Sequence, residues 1–174
     1  MVSNETSKAV PTGNIEVSRI MMPDDANVVG NVHGGTILSL IEQAGYIVAT
    51  RHCNNNLAAG AKPLVGVLAR VEHTDFLQPM YIGELSKLQA RVTFTSTHSI
   101  EVTADVWAEN LTTGEVRKTN QATLWYVAIE VPDESTLYSK NLVPVSVPQC
   151  NGLTDDEVKK GQERYQYPLI AQCA

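Results

Sequence analysis

A chain of 174 residues with 43% apolar and 18% charged side chains has the length and composition of one globular domain and falls short of two ordinary ones. No apolar run reaches the roughly 18 residues that cross a bilayer, and the opening segment MVSNETSKAVPTGN lacks the apolar stretch of a secretory signal. A formal charge of −6 argues against non-specific nucleic-acid binding, which needs a basic face, but leaves room for a small anionic ligand held by a local cluster of cations.

In chain order, residues 1–14 read as a polar, flexible leader. IEVSRIMMP (Ile15–Pro23) starts with alternation and stops at a proline, as a short strand does, and DDANVVGN (Asp24–Asn31) has the Asp, Asn and Gly of a loop. From Gly34 to about His52, apolar residues recur at three- and four-residue steps: Ile37, Leu38, Ile41, Ala44, Ile47, Val48. That spacing predicts a helix of about five turns, and the scarcity of charges predicts burial on most of its sides. After a loop, Cys53–Pro63, four strands follow: Leu64–Phe76, Glu84–Ser96, Ser99–Asn110 and Val116–Val131. In the second and third, strict alternation (Leu88, Ala90, Val92, Phe94 against Gln89, Arg91, Thr93; Ile100, Val102, Ala104, Val106 against Glu101, Thr103, Asp105) predicts a sheet with one dry and one wet face. LTTG (Leu111–Gly114) makes a hairpin turn. One strand, one long helix and a run of antiparallel strands fit together if the sheet wraps the helix. The expected class is therefore α+β, a hot-dog fold, over residues 15–131. Residues 132–174 read as a linker, proline-rich at VPVSVPQC, and a short exposed charged helix opened by a Thr154–Glu157 capping box.

The three cysteines, Cys53, Cys150 and Cys173, are odd in number and widely spaced, with no C-x-x-C pair. They support neither a disulfide framework nor a zinc site, and free thiols of a reducing, cytoplasmic compartment are expected. More telling is the start of the helix. Gly34 and Gly35 admit a close approach of backbone or ligand. The first N–H groups of a helix lack partners in the chain and sit at its positive end, where an oxygen gaining negative charge is stabilised. Glycines there serve tight helix–sheet packing equally well. His33 has two readings, general base or loop-holding hydrogen bonder. Glu42 lies nine residues on, among Leu40, Ile41 and Ala44. A carboxylate partly withdrawn from water suits a general base; a helix face turned to solvent is the alternative. Asn27 offers an amide to orient water or a carbonyl, or else serves only its turn. For an anionic ligand, the Thr95, Ser96, Thr97, His98, Ser99 turn supplies polar groups, with Arg91 beside it and Arg70, Lys87, Arg117 and Lys118 in neighbouring strands; each cation is equally well read as part of a solvated face.

The pattern Asn27-x5-His33-Gly-Gly-x6-Glu42, followed by RHCN, LARVEHTDFLQPMYIGE, TFTSTHSIEV and NQATLWYV, resembles the cytosolic, brain-type long-chain acyl-CoA thioesterases, and within them the N-terminal hot-dog domain, over about Ile15–Glu130. The resemblance implies hydrolysis of fatty acyl-CoA to fatty acid and CoA, with CoA entering only as part of the substrate and no cofactor or metal. It implies work in pairs, as a homodimer or with a second hot-dog domain, assembled as a hexamer, a trimer of dimers. It also implies that Asn27 is one catalytic residue and that the acid comes from the partner domain. In that family the productive acid is an aspartate of the second domain, and the first domain has glutamate at the matching position, as Glu42 here. Two other functions fit the pattern: an acyl-CoA-binding half-module that is weak or inactive alone, and an acyl-thioester hydratase or dehydratase using His33.

Overall fold

The computed structural model describes residues 13–55, 57–131, 144–149 and 153–165. Its elements are β1 (Asn14–Ile20), a 3-10 turn (Pro23–Asp25), α1 (Gly34–Cys53), β2 (Leu64–Phe76), β3 (Leu85–Thr95), β4 (Ser99–Glu109), β5 (Val116–Glu130) and α2 (Asp155–Arg164). The five strands form one antiparallel sheet in the order β1-β3-β4-β5-β2. α1 packs against all five, so the fold is the hot-dog arrangement that the strand and helix order predicted.

Side-chain size explains how the helix fits. Ala90, Ala104 and Ala122 stand opposite one another across the three central strands and are all buried, leaving a shallow trough for α1. Two glycines bring backbone closer still. A methyl group on Gly45 would lie 2.3 Å from the Tyr126 hydroxyl, and one on Gly66 would lie 2.9 Å from the Ala49 methyl. The first contact lets the Tyr126 hydroxyl donate to the Glu42 carbonyl, 2.9 Å away.

Burial of α1 is one-sided, against the expectation of burial on most sides. Ile37, Ile41, Ala44, Val48 and Ala49 face the sheet, whereas Leu38 and Tyr46 are exposed. The reason lies in the strand order: among the described residues β2 is the last strand of the sheet, and none of them covers the flank of α1 beside it. Val67, Val71 and Phe76 of β2 are exposed on the same margin, where two bulges, at Leu68/Arg70 and Val71/His73, break the register with β5.

The outer face of the sheet is not uniformly wet. Glu101, placed by alternation on the solvent side, is fully buried, because α2 lies over it. Arg164 forks onto its carboxylate with two bonds of 2.6 Å, and the Thr93 hydroxyl donates a third at 2.7 Å. Gly161 sits so close to Phe94 that a Cβ would come within 2.4 Å of the ring. The Tyr165 ring is 5.3 Å from Trp125 and 6.3 Å from Phe94. α2 does begin with the Thr154–Glu157 capping box, but it is docked on the sheet rather than standing free. Residues 144–149, expected to be linker, also lie against the domain: Val145 N–H donates to the Ala128 carbonyl, Val147 N–H to the Thr97 carbonyl, and His52 Nε2 to the Pro148 carbonyl at 2.7 Å.

Candidate active site

The loop before α1 is built around Asp25 and Asn27. Asp25 is buried; its carboxylate accepts from Arg19 (2.9 and 3.0 Å) and from Met22 N–H (2.8 Å), and its carbonyl accepts from His33 N–H (2.7 Å). Asn27 closes the turn that follows. Its Oδ1 accepts from Val29 N–H at 2.9 Å and Asn31 N–H at 3.2 Å, and Gly30, at φ +86°, supplies the left-handed position. The oxygen end of the Asn27 amide is thus occupied by its own loop, while the Nδ2 end has no acceptor among the described residues. Val28 and Val29 form an exposed apolar tip.

At the start of α1, His33 is the N-cap. Its Nδ1 accepts from Gly35 N–H at 3.1 Å, and its carbonyl accepts from Thr36 N–H at 3.0 Å. With Nδ1 an acceptor, the ring proton sits on Nε2, and the geometry is that of the loop-holding reading of His33. Gly35 N–H is occupied by this cap. Gly34 N–H has no acceptor among the described residues, and so is the leading amide available at the positive end of the helix. Gly34 is also in contact with β2: a Cβ there would be 3.2 Å from the Phe76 ring.

Phe76 opens a groove of about 490 Å³ between α1 and the edge strand, lined by Leu38, Ile41, Glu42, Leu68, Val71 and Leu124, with Ser39 and Thr74 beside them. Glu42 is half-buried there. Eight residues, about 12 Å at 1.5 Å per residue, separate it along the helix from Gly34. The arrangement offers an apolar slot, a backbone N–H near one end with no acceptor among the described residues, and a carboxylate farther in.

The thioesterase superfamily's sequence profile matches residues 29–115, half of the chain. The chain belongs to that superfamily. It is similar to the cytosolic acyl coenzyme A thioester hydrolase of Rattus norvegicus, 48% identical over 153 residues that cover 87% of this chain and 37% of the rat protein. It therefore spans little more than a third of that relative's length. Among solved structures it is similar to an acyl-CoA hydrolase from Bacillus cereus (25% identity, TM-score 0.71, 91% of this chain and 88% of that one). An apo-hexameric acyl-CoA thioesterase is likewise similar (27% identity, TM-score 0.70, 92% and 93%).

The other residues singled out for this thioesterase-superfamily domain lie elsewhere. The Thr95–Ser99 turn is at the far end of the sheet. Ser99 stands opposite Val127 and Phe76 opposite Asn120, and the seven intervening steps along β5 amount to about 23 Å. Ser96 N–H bonds the Ser99 carbonyl, Thr97 and His98 give their carbonyls to Val147 and Ala128, and Thr95 faces Gln149. The cations are paired with acids: Arg91 and Lys118 with Asp105, Lys87 with Glu109, Arg70 with Glu72. Arg117 forks onto buried Glu84 at 2.7 Å twice. Burial pushes the Glu84 carboxyl up, but bonds from Arg117 and Tyr81 N–H, with the Arg117 charge, outweigh it and hold the group below the ordinary range. Burial pushes the Cys53 thiol up to about 12, which removes it as a nucleophile.

Sequence reasoning did not single out Phe76, Val71, Leu68 or Thr74. Their signal was the TDF end of β2, but it becomes legible only once β2 is known to be an edge. Among the described residues, no group of three His, Cys, Asp or Glu side chains is placed to hold a metal ion, and no helix is long and apolar enough to cross a membrane.

Proposed function

We propose that this domain hydrolyses fatty acyl-CoA thioesters, in the cytosol, at sites shared between paired hot-dog domains. The observation that carries the reading is the Gly34 N–H, without an acceptor among the described residues, at the Phe76 end of an apolar groove along the edge strand β2. The acyl chain enters the groove and the thioester oxygen accepts from Gly34 N–H. Charge that develops on that oxygen is stabilised by the helix end. Asn27, its oxygen fixed by the loop, turns Nδ2 toward the carbonyl or the attacking water. The chain's own Glu42, about 12 Å down the helix, is too far to activate that water. A carboxylate from a partner helix fills the role, taking the proton as the water oxygen bonds to the carbonyl carbon. The tetrahedral intermediate then expels CoA as a thiolate, which needs little help because thiols ionise near pKa 8.5.

The partner is a second hot-dog domain, in the same longer polypeptide or in a second copy of this chain, and the assembly is a trimer of such pairs. The mechanism calls for no cofactor beyond the CoA of the substrate. The Thr95–Ser99 turn and Arg91 lie too far from Gly34 of the same chain to serve its ligand, so any contact they make with CoA is to a substrate bound by a neighbour. The folded unit extends past residue 131 to include 144–149 and α2.

A second reading, an acyl-CoA-binding half-module with little activity alone, is favoured by Glu42 itself. Glutamate is one methylene longer than aspartate, and a misplacement near 1 Å lowers rates about a hundredfold. The hydratase reading is disfavoured because the His33 Nδ1 is engaged by Gly35 N–H. Thiol release from palmitoyl-CoA tests the proposal: Asn27→Ala should abolish turnover in any assembly where this domain supplies the site, with folding retained. Equal rates for the variant and the parent assembly would refute the proposed role of Asn27.

A further inference from the structure

Resting on the thioester reading above, we infer that Tyr126, a β5 residue whose ring packs under α1 next to β2, is the end stop of the acyl groove and sets the length of chain this domain grips. The last groove-lining residues on the two walls are Glu42 and Leu68, and Tyr126 joins both. It stands opposite Leu68 in the β2–β5 ladder, and its hydroxyl donates to the Glu42 carbonyl at 2.9 Å. The ring is fully buried and fills the space that a side chain at Gly45 would need. One turn farther along α1, Ala49 rests on Gly66, so helix and strand are closed on each other beyond the tyrosine.

The distance to the stop follows from helix geometry. Gly34 to Glu42 is about 12 Å and Gly34 to Gly45 about 16 Å at 1.5 Å per residue. An extended chain advances about 1.2 Å per bond, a third of the 3.3–3.6 Å that three backbone bonds span. A tail whose carbonyl sits at Gly34 therefore meets Tyr126 after about 10 to 13 bonds. Each methylene up to that point gains apolar contact, and those beyond it do not.

The test uses non-hydrolysable S-alkyl-CoA thioethers of increasing chain length, with dissociation constants measured by calorimetry on the assembled protein. Affinity should rise up to about fourfold per methylene and level off near 12 carbons. Tyr126→Leu, which shortens the stop, should move the plateau to longer chains. Leu68→Ala, which widens the groove in front of it but leaves the tyrosine in place, should leave the plateau where it is. If Tyr126→Leu does not fold, Leu68→Ala still tests the stop, because a plateau moved to longer chains with Tyr126 intact overturns it. Binding of every thioether with the plateau unmoved in folded Tyr126→Leu likewise overturns the end stop and leaves the thioester reading standing. Failure of the parent protein to bind any thioether overturns both.

Discussion

Replacing Arg164 with Met removes the guanidinium that covers Glu101 and leaves a carboxylate with no exposed surface, bonded among the described residues only by the Thr93 hydroxyl at 2.7 Å. Breaking a buried ion pair from one side costs about 3–5 kcal/mol, because the surviving charge stays desolvated. The Arg164 side chain is itself 38% exposed, so the loss belongs at the lower end, about 3 kcal/mol. For a domain of this size that lowers the melting temperature by roughly 6–12 °C. The measurement is urea unfolding followed by tryptophan fluorescence, since Trp125 lies under Tyr165 at the end of α2. Glu101→Gln in the Arg164→Met background separates charge from packing: it removes the stranded charge, keeps an acceptor for Thr93, and should recover most of the loss. A loss below about 1 kcal/mol in Arg164→Met, or a double variant no more stable than the single one, would refute the argument that α2 is bound to the domain by charge burial.

Three further expectations follow from named contacts. Gly45→Ala should destabilise by about 1–3 kcal/mol in denaturant titrations, because the new methyl would lie 2.3 Å from the Tyr126 hydroxyl. Glu84 is held below the ordinary carboxylate range, so its contribution is present above the unfolded value near 4.3 and is lost as pH falls through the lower folded value; stability against pH for Glu84→Gln should therefore converge on the parent curve in acid, and a constant gap would contradict this. Glu42→Asp should raise thiol release by the self-paired chain, up to about a hundredfold if side-chain reach limits it.

The hot-dog architecture was readable because its periods are clean. Leu88–Ala90–Val92 and Val102–Ala104–Val106 alternate without interruption, and Ile37–Ile41–Ala44–Val48 keep helical steps. Strand order was not readable, since alternation says which face is dry and nothing about which strand is the edge. The exposure of Leu38 and Tyr46 and the groove at Phe76 all descend from that one unknown. Glu101 was misplaced for a related reason. Its period put it on the outer face correctly, but the cover over that face comes from a helix whose contacting residues, Val158, Gly161, Arg164 and Tyr165, are scattered among charges. In the candidate site, Asn27, Gly34 and Glu42 were legible as residue types at a spacing. That His33 would take Gly35 N–H and leave Gly34 N–H without an acceptor among the described residues depends on backbone geometry that no spacing encodes.

The central claim is that Gly34 and Asn27 hold the thioester while another domain supplies the carboxylate. Titrating this chain with a hot-dog domain that carries aspartate at the position matching Glu42, and following thiol release from palmitoyl-CoA, tests it most directly. The rate should climb to a plateau at one partner per chain and be lost when the chain carries Asn27→Ala, with the pair still forming. A rate indifferent to the added domain, or a plateau unchanged by Asn27→Ala, would contradict the account.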